Sequence, residues 1–319
     1  MSCSRSCKLC GEGRSSVGKA QETRYSSPLR YPGGKGKVAN FVKLLVLENS
    51  LIGSDYIEPY AGGASVALSL LFEDYINHAY INDINDGVYC FWRFALEDPD
   101  SLCRRIMTVP LTIDEWRRQK LIHSSMDSSP EDIGFSTFYL NRTNRSGIVS
   151  GGVIGGTGQA GIWKIDARFN REALCSRVRK IAGYSSRITV SKVDAAEMIE
   201  SELVRGRSHR LLYLDPPYFV KGEGLYDNFY GFEDHRKVRD AVSATPGPWV
   251  VSYDAAPEIL QLYSQHEPLR YTLSYSASRA SKGTEVMYFS PNLLIPKVAS
   301  PAGISVAEVT KAMSAATLF

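Results

Sequence analysis

Apolar and polar residues alternate along the chain in a pattern typical of mixed helix and strand structure. The segment Val38–Leu51 places apolar residues at three- and four-residue spacing, which predicts an amphipathic helix. Short apolar runs at 55–58 and 80–83 predict strands, and helices are predicted at 64–72 and 86–97. Strand, glycine turn, helix, strand, helix is the order expected of a doubly wound α/β sheet.

This alternation stops near residue 99 and resumes near residue 188. The intervening part has helical patterns at 112–123, 133–141 and 169–184, together with a segment, 146–161, that contains seven glycines. Further strands are predicted at 187–193, 211–214, 249–252 and 285–289.

These patterns predict a division of the chain into three parts. We expect an α/β domain formed by residues 28–98 and 188–319, with a mostly helical insertion over residues 99–187. The length of 319 residues suits such an arrangement at about 150 residues per domain. Residues 1–27 are rich in serine, glycine and charge without apolar periodicity, so they predict a disordered tail.

The composition is that of an ordinary soluble protein, with 44% hydrophobic and 22% charged residues. No stretch approaches the roughly eighteen apolar residues of a membrane span, and Met1–Cys10 has no apolar core. We therefore expect neither a membrane segment nor a secretory signal. Six cysteines, three of them within the first ten residues, do not resemble a disulfide framework. A reduced, cytoplasmic protein is the expectation.

The net charge of +3 is distributed unevenly along the chain. Residues 99–192 contain 15 lysines and arginines against 8 aspartates and glutamates, a local balance of +7. A basic segment within an otherwise slightly acidic chain predicts contact with a polyanion through that segment alone. A solvated helical face would show the same balance, so charge by itself leaves both interpretations open.

The sequence Asp215-Pro216-Pro217-Tyr218 directly follows the strand predicted at 211–214. Two prolines after a strand end its pairing and hold the chain in an extended, rigid turn. This places a carboxylate and an aromatic ring at the carboxyl edge of the sheet, where ligands of open α/β folds bind. So short a motif is also compatible with an ordinary strand-terminating turn.

A glycine turn between the first strand and its helix carries a second group of candidates, Glu58 to Gly63. Gly62 and Gly63 allow the backbone to approach a ligand at the helix N-terminus. Their spacing differs from the dinucleotide pattern, so a nucleoside is favoured over a pyrophosphate. Asp83 follows the next strand, about 20 residues later, where an acid can bind ribose hydroxyls or, alternatively, cap a turn.

In their order, these elements resemble the Dam-like DNA adenine-N6 methyltransferases of the D12 class, or alpha group. The order is Tyr-Pro-Gly-Gly-Lys at 31–35, Glu-Pro-Tyr-Ala-Gly-Gly at 58–63, Asn-Asp at 82–83, an insertion, and Asp-Pro-Pro-Tyr at 215–218. Further agreement comes from short motifs at 138–142, 168–170, 188–194, 251–253 and 282–285. The resemblance extends over residues 28–292.

The resemblance implies a Rossmann-like methyltransferase sheet, S-adenosylmethionine as methyl donor, no metal, and duplex DNA as substrate. The site residues that it implies for the donor are Tyr31, Lys35, Glu58, Ala61, Gly62, Asp83, Asp194 and Asp215. Asp194 is the weakest match among them and is expected near the adenine of the donor. The resemblance also suggests a monomer and leaves open a cognate restriction endonuclease that acts separately.

The resemblance places catalysis at Asp215, Pro216, Pro217 and Tyr218. The N6 nitrogen of adenine is a poor nucleophile because its lone pair is delocalised into the ring, whereas a sulfonium methyl is a strong electrophile. The enzyme therefore aligns the two groups and accepts the N6 hydrogens, for which the Asp215 carboxylate and the Pro216 carbonyl are suited. Tyr218 is expected to stack on a flipped-out adenine.

Other functions compete with this interpretation. A carboxylate also accepts from the amino group of cytosine, so an N4-cytosine or an RNA methyltransferase remains an alternative, as does a catalytically silent DNA-binding protein. Cys3, Cys7 and Cys10 have the spacing of an iron–sulfur triplet, but no strand precedes them; a zinc site would need a fourth ligand. Ser65 resembles a hydrolase nucleophile, although the second glycine of that motif is absent.

The insertion is expected to contact DNA through side chains that suit phosphates and base edges, namely Asn141, Arg142, Asn144 and Arg145. The same side chains could instead satisfy carbonyl groups of their own loop. In this region the chain departs from the Dam pattern, in which Asn-Gly and then an arginine follow. This chain has Ser146-Gly147 and Ser150, so a GATC target is not carried over.

Overall fold

The protein is built around one seven-stranded sheet with the strand order β3-β2-β1-β4-β5-β7-β6. The computed structural model describes residues 27–30, 35–219, 230–275 and 281–316. The predicted tail therefore lies outside the described residues, apart from Ser27, which is buried. The strands are β1 (Ser54–Glu58), β2 (Ile76–Asn82), β3 (Ile188–Ser191), β4 (Arg210–Leu214), β5 (Trp249–Asp254), β6 (Leu269–Tyr275) and β7 (Ser281–Phe289).

Strands β1 to β5 run parallel, and β7 is antiparallel to both of its neighbours. The central strand β4 is buried along its whole length, because helices cover both faces of the sheet. Alternate residues of β4 enter different hydrophobic clusters. Leu211 and Tyr213 lie in one, and Leu212 and Leu214 lie in the other. This is the doubly wound α/β arrangement that the sequence predicts.

Twelve helices accompany the sheet in the described ranges. Outside the insertion they are α1 (Ala39–Glu48), α2 (Ser65–Phe72), α3 (Asp86–Glu97), α8 (Ala195–Glu200), α9 (Glu202–Arg205), α10 (Phe232–Ser243), α11 (Pro257–Leu262) and α12 (Val306–Ala316). The predicted boundaries of α3 agree with the structure. Its Asn85 side chain accepts a hydrogen bond from the Val88 N–H and so caps the helix. None of the described helices has the length and apolar character needed to cross a membrane.

The connection between β2 and β3 contains the four helices of the insertion. They are α4 (Pro99–Thr108), α5 (Ile113–Ser124), α6 (Pro130–Thr143) and α7 (Arg171–Ala182). Each begins with a side chain that caps its first turn, and proline follows the cap in α4 and α6. Helix α6 packs against both α3 and α5, so the insertion rests directly on a helix of the sheet domain.

The glycine-rich part of the insertion touches the start of the sheet domain. Ser146 has a left-handed backbone with φ of 57°, and Gly147 follows with φ of 80°. A Cβ atom at Gly147 would lie 2.6 Å from the backbone oxygen of Arg30, so only glycine fits this contact. The Ser146-Gly147 turn therefore packs against the residue that precedes the Tyr-Pro-Gly-Gly-Lys element.

Candidate active site

A cavity opens at the carboxyl ends of β1, β2 and β4, where the order of the strands reverses. Six of the residues predicted to bind the donor line it, namely Lys35, Glu58, Ala61, Gly62, Asp83 and Asp215. Pro217 and Asn141 also face this cavity. Asp194 does not line it and instead caps α8 through the N–H groups of Ala196 and Glu197. Tyr31 lies outside the described residues.

The glycine turn after β1 is held from two sides. The Trp92 indole N–H donates to the Gly62 carbonyl oxygen at 2.9 Å. The Gly62 N–H donates to Oδ2 of Asp83, also at 2.9 Å. Gly62 has a φ of 45°, in the left-handed region that favours glycine. The backbone surface that the cavity offers to a ligand is therefore already formed by the fold.

Asp83 is half-buried and accepts two backbone hydrogen bonds. Besides the Gly62 contact, its Oδ1 accepts from the Asn85 N–H at 3.0 Å. Burial raises the pKa of Asp83 to about 6, although the two N–H donors act in the opposite direction. The lone pairs that these two bonds leave available allow the carboxylate to accept from a ligand hydroxyl as well.

Glu58 brings a buried carboxyl group to the end of β1. Among the described residues, its Oε2 atom has no hydrogen-bond partner. Burial raises the pKa of Glu58 well above its ordinary value, and the nearby Asp215 and Asp83 add to this effect. The N–H of Ala67 in α2 opposes it. An unpartnered buried oxygen is costly, so this position is suited to a cationic or hydrogen-bond-donating ligand.

Lys35 joins two carboxylates that lie far apart in the chain. Its Nζ is 3.0 Å from Oδ1 of Asp215 and 2.7 Å from Oε2 of Glu285. Glu285 is fully buried, and it also accepts hydrogen bonds from the hydroxyl groups of Tyr218 and Tyr271. Glu285 belongs to the Lys-Gly-Thr-Glu motif of the sequence, but the sequence assigned it no role. The structure makes it the centre of this polar cluster.

The charges of this cluster shift one another's protonation. Burial lowers the pKa of the Lys35 ammonium, but Asp215 and Glu285 raise it, and the net shift is upward. Burial raises the pKa of Glu285, but Lys35 and the two tyrosine hydroxyls lower it, and the net shift is downward. For Asp215 burial outweighs the attraction of Lys35, so its pKa is raised.

The Asp215 carboxylate is oriented by β5 as well as by Lys35. The Ser252 hydroxyl donates to Oδ1 of Asp215 at 2.9 Å. Tyr218 is only 4% exposed, with its ring centre 5.2 Å from the Lys35 ammonium. Of the four residues predicted for catalysis, Asp215 and Pro217 line the cavity, while Pro216 and Tyr218 do not. The stacking role of Tyr218 stays a prediction.

Two tyrosines complete one side of the cavity; Tyr60 lies within the candidate segment 58–63, but the sequence assigned neither a role of its own. Tyr60 and Tyr230 both line it, and their rings meet edge to face at 6.0 Å between centroids. Their hydroxyl oxygens lie 3.3 Å apart. Tyr60 belongs to the Glu-Pro-Tyr motif and could have been found from it. Tyr230 carries no such signal, because it meets Tyr60 only through the fold.

The residues predicted to bind DNA fall into two groups. Asn141 is 2% exposed, and its amide bonds the backbone N–H and carbonyl of Arg30 and the carbonyl of Gly147. Asn144 is fully buried and bonds Trp116 and two carbonyls of its own loop. In this conformation both amides satisfy neighbouring protein groups. Arg142 is half-buried and Arg145 is exposed. The DNA contacts of all four stay predictions.

The order of these site elements agrees with a family model. The model of the D12 class N6 adenine-specific DNA methyltransferases matches residues 31–277. The chain belongs to this family. Membership decides among the open alternatives: this D12-class protein is an adenine-specific DNA methyltransferase, rather than a cytosine or RNA enzyme or a catalytically silent protein.

Other comparisons add little to this assignment. No curated protein sequence matches this D12-class methyltransferase. One similar solved structure is the rRNA methyltransferase aviRa from Streptomyces viridochromogenes, with 11% sequence identity and a TM-score of 0.36. The match covers 86% of this chain and 92% of that chain. The Rossmann-like methyltransferase fold follows from the strand order and strand directions of the sheet.

In the ranges 27–30, 35–219, 230–275 and 281–316, no three histidine, cysteine, aspartate or glutamate side chains are grouped as a metal site requires. Cys3, Cys7 and Cys10 lie outside the described residues.

Proposed function

We propose that the protein transfers a methyl group from S-adenosylmethionine directly to N6 of an adenine that is swung out of duplex DNA at a specific sequence. The observation that carries this proposal is the position of Asp215. Its carboxylate follows β4 and lines the same cavity as Glu58, Gly62 and Asp83. A hydrogen-bond acceptor for the adenine amino group and a surface suited to a nucleoside thus share one cavity.

The charges of the cavity suit S-adenosylmethionine. Among its lining residues are three carboxylates, Glu58, Asp83 and Asp215, and one lysine, Lys35. S-adenosylmethionine carries a sulfonium and an ammonium group against a single carboxylate, so an acidic cavity favours it. The unpartnered Oε2 of Glu58 is suited to the ammonium group, Asp83 to the ribose hydroxyls, and the third N–H of Lys35 to the carboxylate. When bound, the donor supplies a strongly electrophilic methyl group.

Asp215 acts on the acceptor side of the reaction. The amino nitrogen uses its lone pair to form the new N–CH₃ bond, while the S–CH₃ electrons pass to sulfur and leave a neutral thioether. The amino group then carries an excess proton, which leaves to solvent. Asp215 and the Pro216 carbonyl accept hydrogen bonds from the amino group as positive charge develops on it. The Ser252 hydroxyl and Lys35 hold the carboxylate in place.

The domain division is part of the proposal. Residues 28–98 and 188–319 form the catalytic domain, and residues 99–187 recognise the target sequence. The division is supported by Thr137, Ile148 and Val149, which belong to the insertion and line the same cavity as the catalytic residues. A monomer acting on one strand is sufficient for this arrangement. A cytoplasmic location suits an enzyme of DNA, and a restriction endonuclease sharing the target would act as a separate protein.

The direct test is methyl transfer from labelled S-adenosylmethionine to unmethylated duplex DNA, followed by nucleoside analysis of the product. We expect label in N6-methyladenine, at positions that define one short sequence. Label in N4-methylcytosine would contradict the role of Asp215 toward adenine. Absence of transfer to DNA, with donor binding intact, would contradict the proposed reaction as a whole.

Donor binding is expected to weaken as the pH falls below about 6. The pKa of Asp83 is about 6, so the carboxylate takes up a proton there and offers fewer acceptor sites to the ribose hydroxyls. Because the donor prefers the ionised form, affinity should fall by up to about tenfold between pH 6 and pH 5. Titration calorimetry with S-adenosylmethionine at several pH values measures this change.

Two variants separate Asp83 from other groups that titrate near pH 6. Asp83→Asn should bind the donor more weakly at pH 7 and should show a flat profile between pH 5 and pH 7. Asp86→Asn is the matched control, because Asp86 lies three residues later in an exposed ion pair with Lys192. A steep profile that persists in Asp83→Asn would show that another group causes it.

A further inference from the structure

Three arginines converge where α6 ends. Arg142 lies in the last turn of α6, and its Nε donates to the backbone oxygen of Arg168 at 2.8 Å. Arg30, from the segment before α1, donates through Nη1 to the backbone oxygen of Asn144 at 3.1 Å. Arg168 itself is exposed, and its guanidinium lies 6.0 Å from the ring centre of Trp163. We call these three residues the arginine cluster.

The charge of the arginine cluster is not balanced by carboxylates. In the part of the chain that the structure describes, none of its three guanidinium groups forms an ion pair. Other arginines of the insertion do: Arg105 pairs with Asp132, and Arg117 pairs with Asp114. The guanidinium groups of Arg30 and Arg142 bond neutral backbone carbonyls instead. The carboxyl end of α6 contributes about half an elementary negative charge, which cannot balance three positive ones.

The repulsion within the arginine cluster is large enough to affect protonation. Burial, together with repulsion from Arg30, Arg177 and Arg168, lowers the pKa of Arg142 to about 9. The pKa of Arg30 is also lowered, by burial and then by Arg168. Like charges held together by the fold destabilise the free protein, and a bound anion relieves that repulsion.

We propose that Arg30, Arg142 and Arg168 bind a backbone phosphate of the DNA strand. The guanidinium groups of Arg30 and Arg142 are anchored on backbone carbonyls, and their remaining N–H groups, with the exposed guanidinium of Arg168, form the planar forks that match phosphate oxygens. This inference rests on the proposed function, because it takes DNA as the ligand. It adds two residues, Arg30 and Arg168, to the predicted DNA contacts.

The position of the arginine cluster links this phosphate to the cavity. The Asn141 side chain holds the backbone of Arg30. The Arg30 backbone nitrogen donates to Oδ1 of Asn141 at 2.7 Å, and Nδ2 of Asn141 donates to the Arg30 backbone oxygen at 2.6 Å. Asn141 in turn lines the cavity. A phosphate held by the cluster is therefore placed at a set distance from the methyl-transfer site. This would align the DNA strand with that site for catalysis.

The experiment is the salt dependence of duplex binding. The slope of log K against log salt concentration is negative, and its magnitude decreases by about 0.9 for each phosphate contact that is lost. We expect Arg30→Gln and Arg168→Gln each to reduce the slope by up to about 0.9 and to leave S-adenosylmethionine binding unchanged. Arg168→Gln removes an exposed side chain. Arg142 bonds the backbone oxygen of Arg168 and not its guanidinium, so this variant tests the cluster without disturbing the fold.

The matched control is Arg117→Gln. Arg117 lies in the same insertion, is 61% exposed and is paired with Asp114, so the change in net charge is identical. Its slope should equal that of the unaltered protein. If Arg30→Gln and Arg168→Gln also keep that slope while DNA binding persists, the phosphate site is wrong and the proposed function stands.

A second readout does not depend on DNA. Sulfate, used as a divalent anion, should raise the melting temperature of the unaltered protein and of Arg117→Gln more than that of Arg168→Gln. If the protein binds no DNA but this difference is found, the proposed function is wrong. The arginine cluster is then an anion site for a polyanion other than DNA. Equal stabilisation of all three proteins by sulfate, together with unaltered slopes, would overturn the arginine cluster as an anion site.

Discussion

Replacing Asp215 by asparagine is expected to lower the rate of methyl transfer by about a hundredfold to a thousandfold. The amide keeps the size of the side chain and removes the negative charge that faces the developing positive charge on the adenine amino group. Loss of one such electrostatic contact typically costs this factor. Methyl transfer under single-turnover conditions, with DNA and donor saturating, measures the change in the chemical step.

The same variant distinguishes catalysis from binding. Duplex DNA affinity should stay nearly unchanged in Asp215→Asn, because the proposed contacts to the duplex are made by the insertion and by Arg30, and not by Asp215. Asp240→Asn is the control, since Asp240 is an exposed aspartate of α10 that pairs with the adjacent Arg239. It should retain full activity. A collapse of DNA binding in Asp215→Asn, or a rate equal to that of the control, would contradict the catalytic role.

Replacing Glu285 by glutamine is expected to lower the free energy of unfolding at neutral pH by about 3 kcal/mol. The change leaves the buried Lys35 with one carboxylate instead of two and disturbs the acceptors of the Tyr218 and Tyr271 hydroxyls. Breaking a buried ion pair on one side costs more than the pair itself contributes, because the remaining charge stays desolvated. Urea denaturation measures the difference.

The pH dependence of this effect has a defined sign. The pKa of Glu285 is lower in the folded protein than in the unfolded chain, so its contribution is present above the ordinary glutamate pKa. It is lost as the pH falls through the lowered value. The difference between Glu285→Gln and the unaltered protein should therefore shrink in acid.

A surface glutamate provides the comparison for this second variant. Glu233→Gln removes an exposed partner of Arg236 in α10 and should cost no more than about 0.5 kcal/mol. Equal urea midpoints for Glu285→Gln and Glu233→Gln would show that the buried cluster does not stabilise the fold. In that case the position of Lys35 beside Asp215 would need another explanation.

Much of the sheet domain could be predicted from local patterns. Helix α3 and strands β1, β3, β4 and β5 agree with the sequence analysis because each combines clear apolar spacing with a turn or cap, whereas β2 begins at Ile76, four residues before the predicted start. Helix α4 and strand β6 were not predicted. The buried residues of α4, Leu102, Cys103 and Ile106, have helical spacing and Asp98 caps the helix, so local signals for it were present and were missed. Strand β6 is an edge strand that depends on its pairing with β7.

In the candidate site too, local features could be predicted, whereas contacts between distant residues could not. The glycine turn and Asp83 were predicted, because a turn after a strand is a local signal. The amides of Asn141 and Asn144 were predicted to face DNA, whereas in the structure they hold the loop and Arg30 together. Local sequence could not distinguish these roles, since an asparagine amide suits a base edge and a backbone carbonyl equally well.

By itself, the sequence determined the α/β alternation, the glycine and proline turns at the carboxyl edge of the sheet, and the family, because periodicity, turn chemistry and motif order depend on neighbouring residues. Only the tertiary structure decided the partners. Lys35 meets Glu285 across 250 positions, Tyr60 meets Tyr230, and Arg30 joins Arg142 and Arg168 without a counter-charge. Such contacts form only when the sheet and the insertion pack together, because no local pattern in the chain encodes which distant side chains come to share a buried space.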